Sequence, residues 1–344
     1  MEMLNSVSMM LSFDLWAWIL NGFSSWIVNY GWMIIVFTII LKLVMTPLDI
    51  YQRISSKKQA RANAIMQPEM QELQKKYAND KERLNQEQMK LYKKYNINMG
   101  GMCLSLLLTM GVSLLVFFTL FSSLRKVGDA KLYDSYKVLD SVCIEQLAER
   151  DLSTLSDTEK NEISVEIKDE YKELSNEVSW LWVKNVWKSD TNVSQFVDFD
   201  AYAIHMNYDD AQKAQAKVRY DFITKTIDGE EQQCNGYYVL IILAVAVSFG
   251  TQLLSSKLLT PKGQKLNTMN KVMMGVIPVS MAFFALSSNA VFTLYIITNS
   301  IMSAIISTTI TLIMSKMDKG KTDEQIIMKN RNVEVVEYSR NYKK

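Results

Sequence analysis

Apolar and polar positions follow one another along this chain in blocks too long for a soluble core. Residues 1–41 contain no Lys or Arg, and residues 237–256 and 272–315 contain no charged side chain of either sign. Apolar stretches of this length are the mark of membrane-spanning helices. The pattern predicts five spans, at residues 32–50, 100–122, 237–256, 272–287 and 289–315, the last two joined by a turn around Ser287-Ser288-Asn289. Pro47 and Asp49 are expected to end the first span. Residues 51–99 then predict a helical hairpin, because Met66, Met70, Leu73 and Tyr77 form one stripe and Leu84, Leu91 and Tyr95 another. Asp80, after Ala78-Asn79, is the expected N-cap of the second arm, and Pro68 predicts a kink or break near Gln67. The expected fold class is an all-α polytopic membrane protein.

Residues 123–236 form an insert between the second and third spans. Ser156 followed by Glu159 predicts a capping box, with a helical stripe of Ile163, Ile167, Tyr171, Leu174 and Val178 behind it. A second helix is expected from about Asp209 to Ile227. Trp180, Trp182 and Trp187 suggest contact with a membrane surface, as do Trp16, Trp18 and Trp26 of the N-terminal segment, residues 1–31. That segment is expected to place an amphipathic helix in the interface. A secretory leader fits it less well, for want of a basic start and a small-residue cleavage site.

The net charge of +2 is a sum of unlike parts. Residues 51–99 carry +6, residues 257–271 carry +4 and the tail 316–344 carries +3, whereas residues 125–236 carry −9. Because basic loops stay on the cytoplasmic side, the hairpin, the 257–271 loop and the tail are expected inside. The insert and the N-terminus are expected outside. A single His, His205, and three Cys without a C-x-x-C spacing argue against a metal or haem site, so no cofactor is expected. No G-x-S-x-G, H-E-x-x-H or P-loop is present, and no enzymatic activity is expected. Nothing in the pattern calls for specific nucleic-acid recognition. Cys143 and Cys234 both fall in the insert on the oxidising side, where they could pair or remain free thiols.

Polar residues inside the spans carry the functional signal. Lys42 lies ten residues into the first span, about 15 Å deep at the helical rise. At that depth a lysine either meets water or an anion, or snorkels to the nearer surface. No other span contains an acidic residue, which argues against an ion relay and for a water-filled cavity. Thr109 in the second span, Gln252 in the third, and Thr298 and Asn299 in the fifth add hydrogen-bonding groups without charge. Single Ser and Thr residues often serve only to hold helices together. Gln252 and Asn299 cost more facing lipid and are expected to point inward.

These residues, in order, resemble the YidC/Oxa family of membrane protein insertases over nearly the whole chain apart from most of the insert. The resemblance rests on Asn29-Tyr30-Gly31 and Lys42 five before Pro47; on the hairpin QPEMQELQKKYANDKERLNQEQMKLYKKYNIN; and on Gly100-Gly101-Met102-Cys103. It continues through WLWVKNVWKSD at 180–190, YYVLIILAVAVSFGTQ ending at Gln252, Ile277-Pro278, Leu294-Tyr295 and Thr298-Asn299. The family usually has Arg where this chain has Lys42, prolines where it has Met99, Ser105 and Gly111, and an aromatic at Ile296. The resemblance implies a hydrophilic groove lined by Lys42, Thr109, Gln252, Tyr295, Thr298 and Asn299. It implies insertion and folding of nascent membrane proteins in a bacterial plasma membrane, with ribosomes recruited by the basic hairpin and tail, alone or with the Sec translocon. A small-solute transporter or channel is the alternative, but such proteins usually carry an internal repeat, which five spans cannot supply.

Overall fold

In a computed structural model, the structure describes residues 15–94, 99–148, 150–191, 196–229, 234–259 and 268–318. Among them every regular element is helical, apart from one isolated bridge between Trp180 and Val183. Helix α1 covers residues 15–24. It is followed by α2 (Tyr30–Lys76), α3 (Lys81–Lys94), α4 (Met99–Leu147), α5 (Asp157–Val178), α6 (Phe199–His205), α7 (Asp210–Asp228), α8 (Val239–Leu259), α9 (Thr268–Ser287) and α10 (Ala290–Met317). Among the described residues, four stretches are long and apolar enough to cross a membrane: Tyr30–Lys57, Gly111–Leu147, Val239–Leu258 and Ala290–Met317. A fifth apolar stretch, Met274–Ser287, is shorter, although the 20 residues of α9 that contain it rise about 30 Å.

Two helices run on past positions where the sequence pattern marks a boundary. The helix of the first span does not stop at Pro47 and is not broken near Gln67, because α2 runs from Tyr30 to Lys76 with both prolines inside it. A proline removes one ladder hydrogen bond but leaves the rest intact, and inside a bundle neighbouring helices can offset that loss. The helix of the second span is not interrupted at residue 122, because α4 continues to Leu147. Its apolar stretch of 37 residues rises about 55 Å, well beyond a hydrocarbon layer of about 30 Å. The excess forms the first helix of the insert, with Leu132, Tyr136, Leu139 and Cys143 buried in the core.

The chain divides into two compact units. The first takes residues 1–45, 110–254 and 268–304. Its core joins Leu20, Met33, Ile34 and Phe37 to Leu120, Leu124, Leu240, Ala244 and the run Val291–Phe292, and extends into the insert through Ile163, Ile167, Trp187 and Ile223. Phe117, Phe121, Phe284 and Phe292 form an edge-to-face aromatic group within it. The second unit takes residues 46–109, 255–267 and 305–344. Its described core contains Met66, Leu91 and Ile310, together with the buried Arg53, Lys57, Ser256 and Thr311. The hairpin turn at residues 77–80 follows the expected logic, with Asp80 accepting from the Arg83 amide at 3.0 Å.

The insert is tied together by polar contacts as well as by its core. The capping box at Ser156 and Glu159 is formed, and a second one joins Asp209 to Gln212 at the start of α7. Asp140 on α4 accepts two hydrogen bonds from Arg219 on α7, at 2.7 and 3.1 Å. Above that pair Tyr136 packs against Tyr202 and Tyr220. Cys143 and Cys234 do not form the bridge allowed for: both are free thiols. Cys143 is fully buried in the α4 core, and Cys234 hydrogen-bonds the Asp190 carbonyl. His205 stacks on Tyr133 with ring centroids 4.2 Å apart.

Candidate functional site

Three helices of the first unit carry the described site residues. Lys42 lies on α2, Gln252 on α8, and Tyr295, Thr298 and Asn299 on α10. Lys42, Gln252, Thr298 and Asn299 are each partly exposed. Tyr295 behaves differently: it is buried, and its ring stacks on Phe292 at 5.5 Å. Packing against the aromatic group occupies it, so it offers no open polar surface. Thr109 lies on α4 in the second unit, and its side chain falls outside the described residues.

Hydroxyls in these helices mostly satisfy themselves. Thr38 donates to Ile34 O at 2.6 Å, Thr251 to Ser248 O at 3.1 Å and Thr293 to Asn289 O at 3.4 Å. Such back-bonding to the preceding turn removes the cost of a hydroxyl in an apolar setting. The amides cannot do the same. Among the described residues, the side chains of Gln252, Thr298 and Asn299 make no hydrogen bond to protein. A polar group in a membrane-spanning helix costs a few kcal/mol unless it finds a partner. Partial exposure lets these groups find one in water or in a passing polar chain. No group of three or more His, Cys, Asp or Glu residues is placed to hold a metal ion among the described residues.

The opposite end of the first unit is closed by a loop whose role the hydrophobic pattern did not reveal. The backbone of residues 179–191 is held by the Asn235 side chain, whose Oδ1 accepts from the Asn185 amide and whose Nδ2 donates to the Asn185 carbonyl, both at 2.8 Å. Val186 O accepts from Val291 N at 2.9 Å and Lys188 O from Ala290 N at 2.8 Å, fixing the start of α10. Asp190 Oδ2 accepts from the Leu240 amide at 3.0 Å and so caps α8. Burial pushes the Asp190 carboxyl above its ordinary value, against the opposing pull of the Leu240 and Ile241 amides. Burial likewise lowers the Lys188 ammonium. Asn and Asp clustered between tryptophans was the available signal, since short polar side chains bond nearby backbone.

The tryptophans divide between core and surface. Trp187 was expected at a membrane surface but is 3% exposed and packs on Tyr30 at 5.1 Å. Trp16 also turns inward, donating to Thr119 Oγ1 at 3.0 Å and meeting Phe37 edge-on. Both are drawn in by core contacts that periodicity alone does not encode. Trp18, Trp26 and Trp182 remain exposed, and Trp180 lies against Trp32 at 5.7 Å.

Apolar helices long enough to span a bilayer, a helical insert and part-exposed, unsatisfied polar side chains on two of those helices define a polytopic all-α membrane protein. The chain belongs to the 60Kd inner membrane protein family, the YidC/Oxa family, which it matches over residues 22–319. It is similar to the Clostridium tetani protein named membrane protein insertase YidC, with 47% identity over 100 residues, 29% of this chain and 43% of that one. The Fusobacterium nucleatum protein of the same name is 38% identical over 109 residues, 32% of this chain and 49% of that one. The Caldanaerobacter subterraneus protein of that name is 37% identical over 123 residues, 36% of this chain and 53% of that one. The chain thus spans about half the length of these curated relatives.

Proposed function

We propose that this protein is a membrane protein insertase and foldase of a bacterial plasma membrane. The observation that carries this reading is the set of part-exposed, unsatisfied side chains Gln252, Thr298 and Asn299 on membrane-spanning α8 and α10. Family membership and the names of the relatives support it.

In this mechanism Lys42, Gln252, Thr298 and Asn299 line a hydrated groove that solvates the polar flank of an incoming segment part-way into the bilayer. The substrate's apolar helix then passes into lipid, driven by the transfer of its own apolar surface from water. No covalent step and no nucleotide are required. Lys42 attracts acidic and carbonyl-rich chain, while the amides supply hydrogen bonds of either polarity. The charge bias places the hairpin, the 257–271 loop and the C-terminal tail in the cytoplasm and the N-terminus and insert outside. The basic hairpin and tail then face ribosomes and nascent chains, with the Sec translocon a further partner. The test is complementation. Expression of this chain in a bacterium depleted of its own insertase should restore growth and insertion of a reporter membrane protein. Failure at normal expression and membrane localisation would remove the insertase role.

A further inference from the structure

The second unit contains a cationic cluster that the insertase mechanism does not use. Arg53 and Lys57 lie one turn apart on α2 and are 7% and 9% exposed. Arg53 donates through Nε to Thr311 Oγ1 at 3.1 Å and through Nη1 to Ser255 Oγ at 3.0 Å. Its remaining nitrogen, Nη2, is buried with no acceptor among the described residues. Lys57 reaches the Thr311 carbonyl at 3.5 Å. On α10, one turn before Thr311, the Thr308 hydroxyl is also buried without a partner. Each direct contact of the two buried cations is with a neutral oxygen.

Among the described residues at these ends of α2, α8 and α10, charge does not balance. Arg53, Lys57, Arg61, Lys257 and Lys316 stand against Asp49 and Asp318. Arg61 already engages Asp318, at 2.7 Å. Burying cations in excess of anions is costly unless a counter-charge is brought in. Arg53 and Lys57 belong to the last turns of one candidate span, Ser255 to the last turn of a second, and Thr311 lies near the end of a third. Polar residues at the ends of several spans lie at headgroup depth, where lipid phosphates are the abundant anions. A guanidinium and an ammonium beside the unpartnered Thr308 hydroxyl match a phosphate well; the Thr311 hydroxyl, which donates to Ser307 O at 2.7 Å, holds Arg53 in place.

We propose that Arg53 and Lys57, with the Thr308 hydroxyl, form a binding site for a phosphate oxyanion carried by an anionic phospholipid headgroup. The oxyanion gives Arg53 Nη2 its missing acceptor and offsets the excess positive charge. The lipid would act as a structural ligand of the second unit.

The test uses the full chain, purified in detergent and placed in nanodiscs of mixed phosphatidylglycerol and phosphatidylcholine. Native mass spectrometry should show phosphatidylglycerol retained about tenfold over phosphatidylcholine, a ratio within the range of one charge-assisted contact. Lys57→Gln should bring that ratio close to one, and Lys57→Arg should keep it. Lys168→Gln, an equal change of charge on exposed α5, should leave it intact. Arg53→Gln is the stronger perturbation, and Lys57→Gln keeps the test valid if that variant fails to fold. Stripping of the lipid by millimolar inorganic phosphate, with phosphate retained in its place, would overturn the lipid assignment in favour of a soluble oxyanion. A wild-type protein without preference, or a Lys57→Gln protein as selective as wild type, would overturn the site. Binding is read without insertion activity, so its failure leaves the insertase role standing.

Discussion

At the scale of single residues, the chemistry rests on a few polar groups in an apolar setting. Lys42 is the only Lys or Arg within residues 1–52. If its ammonium solvates passing chain, Lys42→Arg should retain insertion, because positive charge and hydration are kept. Lys42→Ala should reduce insertion most for substrates with acidic or strongly polar translocated tails and least for nearly apolar ones. A panel of reporter substrates at matched protein level checks this, and equal insertion of all of them by the Ala variant would leave Lys42 an anchor only. Gly31 is constrained by steric contact instead. A Cβ at this position would collide with the Trp180 ring, and the indole cannot move freely because Trp32 packs against it. Gly31→Ala should cost about 1–3 kcal/mol by overpacking, seen as a lower melting temperature in detergent.

At the scale of elements, the insert is organised by caps and one buried ion pair. The Ser156 amide and hydroxyl, with Arg150, hold the Glu159 carboxyl down at about 2, below its ordinary 4.5. A depressed carboxylate stabilises the fold above its unfolded value and loses that contribution as pH falls through the folded one. The melting difference between wild type and Glu159→Gln should therefore be full above about pH 4.5 and close as pH approaches 2. The Asp140–Arg219 pair should matter more, because Asp140 is 3% exposed. Asp140→Ala leaves Arg219 partly buried without its carboxylate and should cost about 3 kcal/mol. Adding Arg219→Met should recover part of that loss, as measured by thermal melts of the single and double variants.

At the scale of the whole molecule, the charge blocks define a topology that labelling can check. Cysteines introduced near Lys76 should be shielded from an impermeant thiol reagent in intact cells, whereas those near Asp157 should react. The reverse pattern would overturn both the topology and the groove mechanism. The native thiols complicate this little on the insert, since Cys143 is fully buried, although Cys234 is partly exposed and is best replaced by Ser.

Charge segregation and uninterrupted apolar runs were sufficient to establish an all-α polytopic membrane protein, and the order of short motifs was sufficient to suggest its family. Local signals worked where the physics is local: the Ser156 capping box and the Asp80 turn depend only on residues three apart. They failed where the outcome depends on distant partners. Pro47 and Pro68 remain inside α2, and α4 continues 25 residues past position 122 to Leu147, because long-range packing can outweigh local propensity. Trp16 and Trp187 leave the surface for Thr119 and Tyr30, partners more than 100 residues away in sequence. Gln252, Thr298 and Asn299 were visible as costly residues, but only the tertiary structure showed that their side chains are part-exposed and unsatisfied while Tyr295 is packed away. The Arg53–Lys57 cluster was invisible in a hairpin read as basic throughout. Burial is set by what α8 and α10 bring against a helix, and no periodicity within the helix records it.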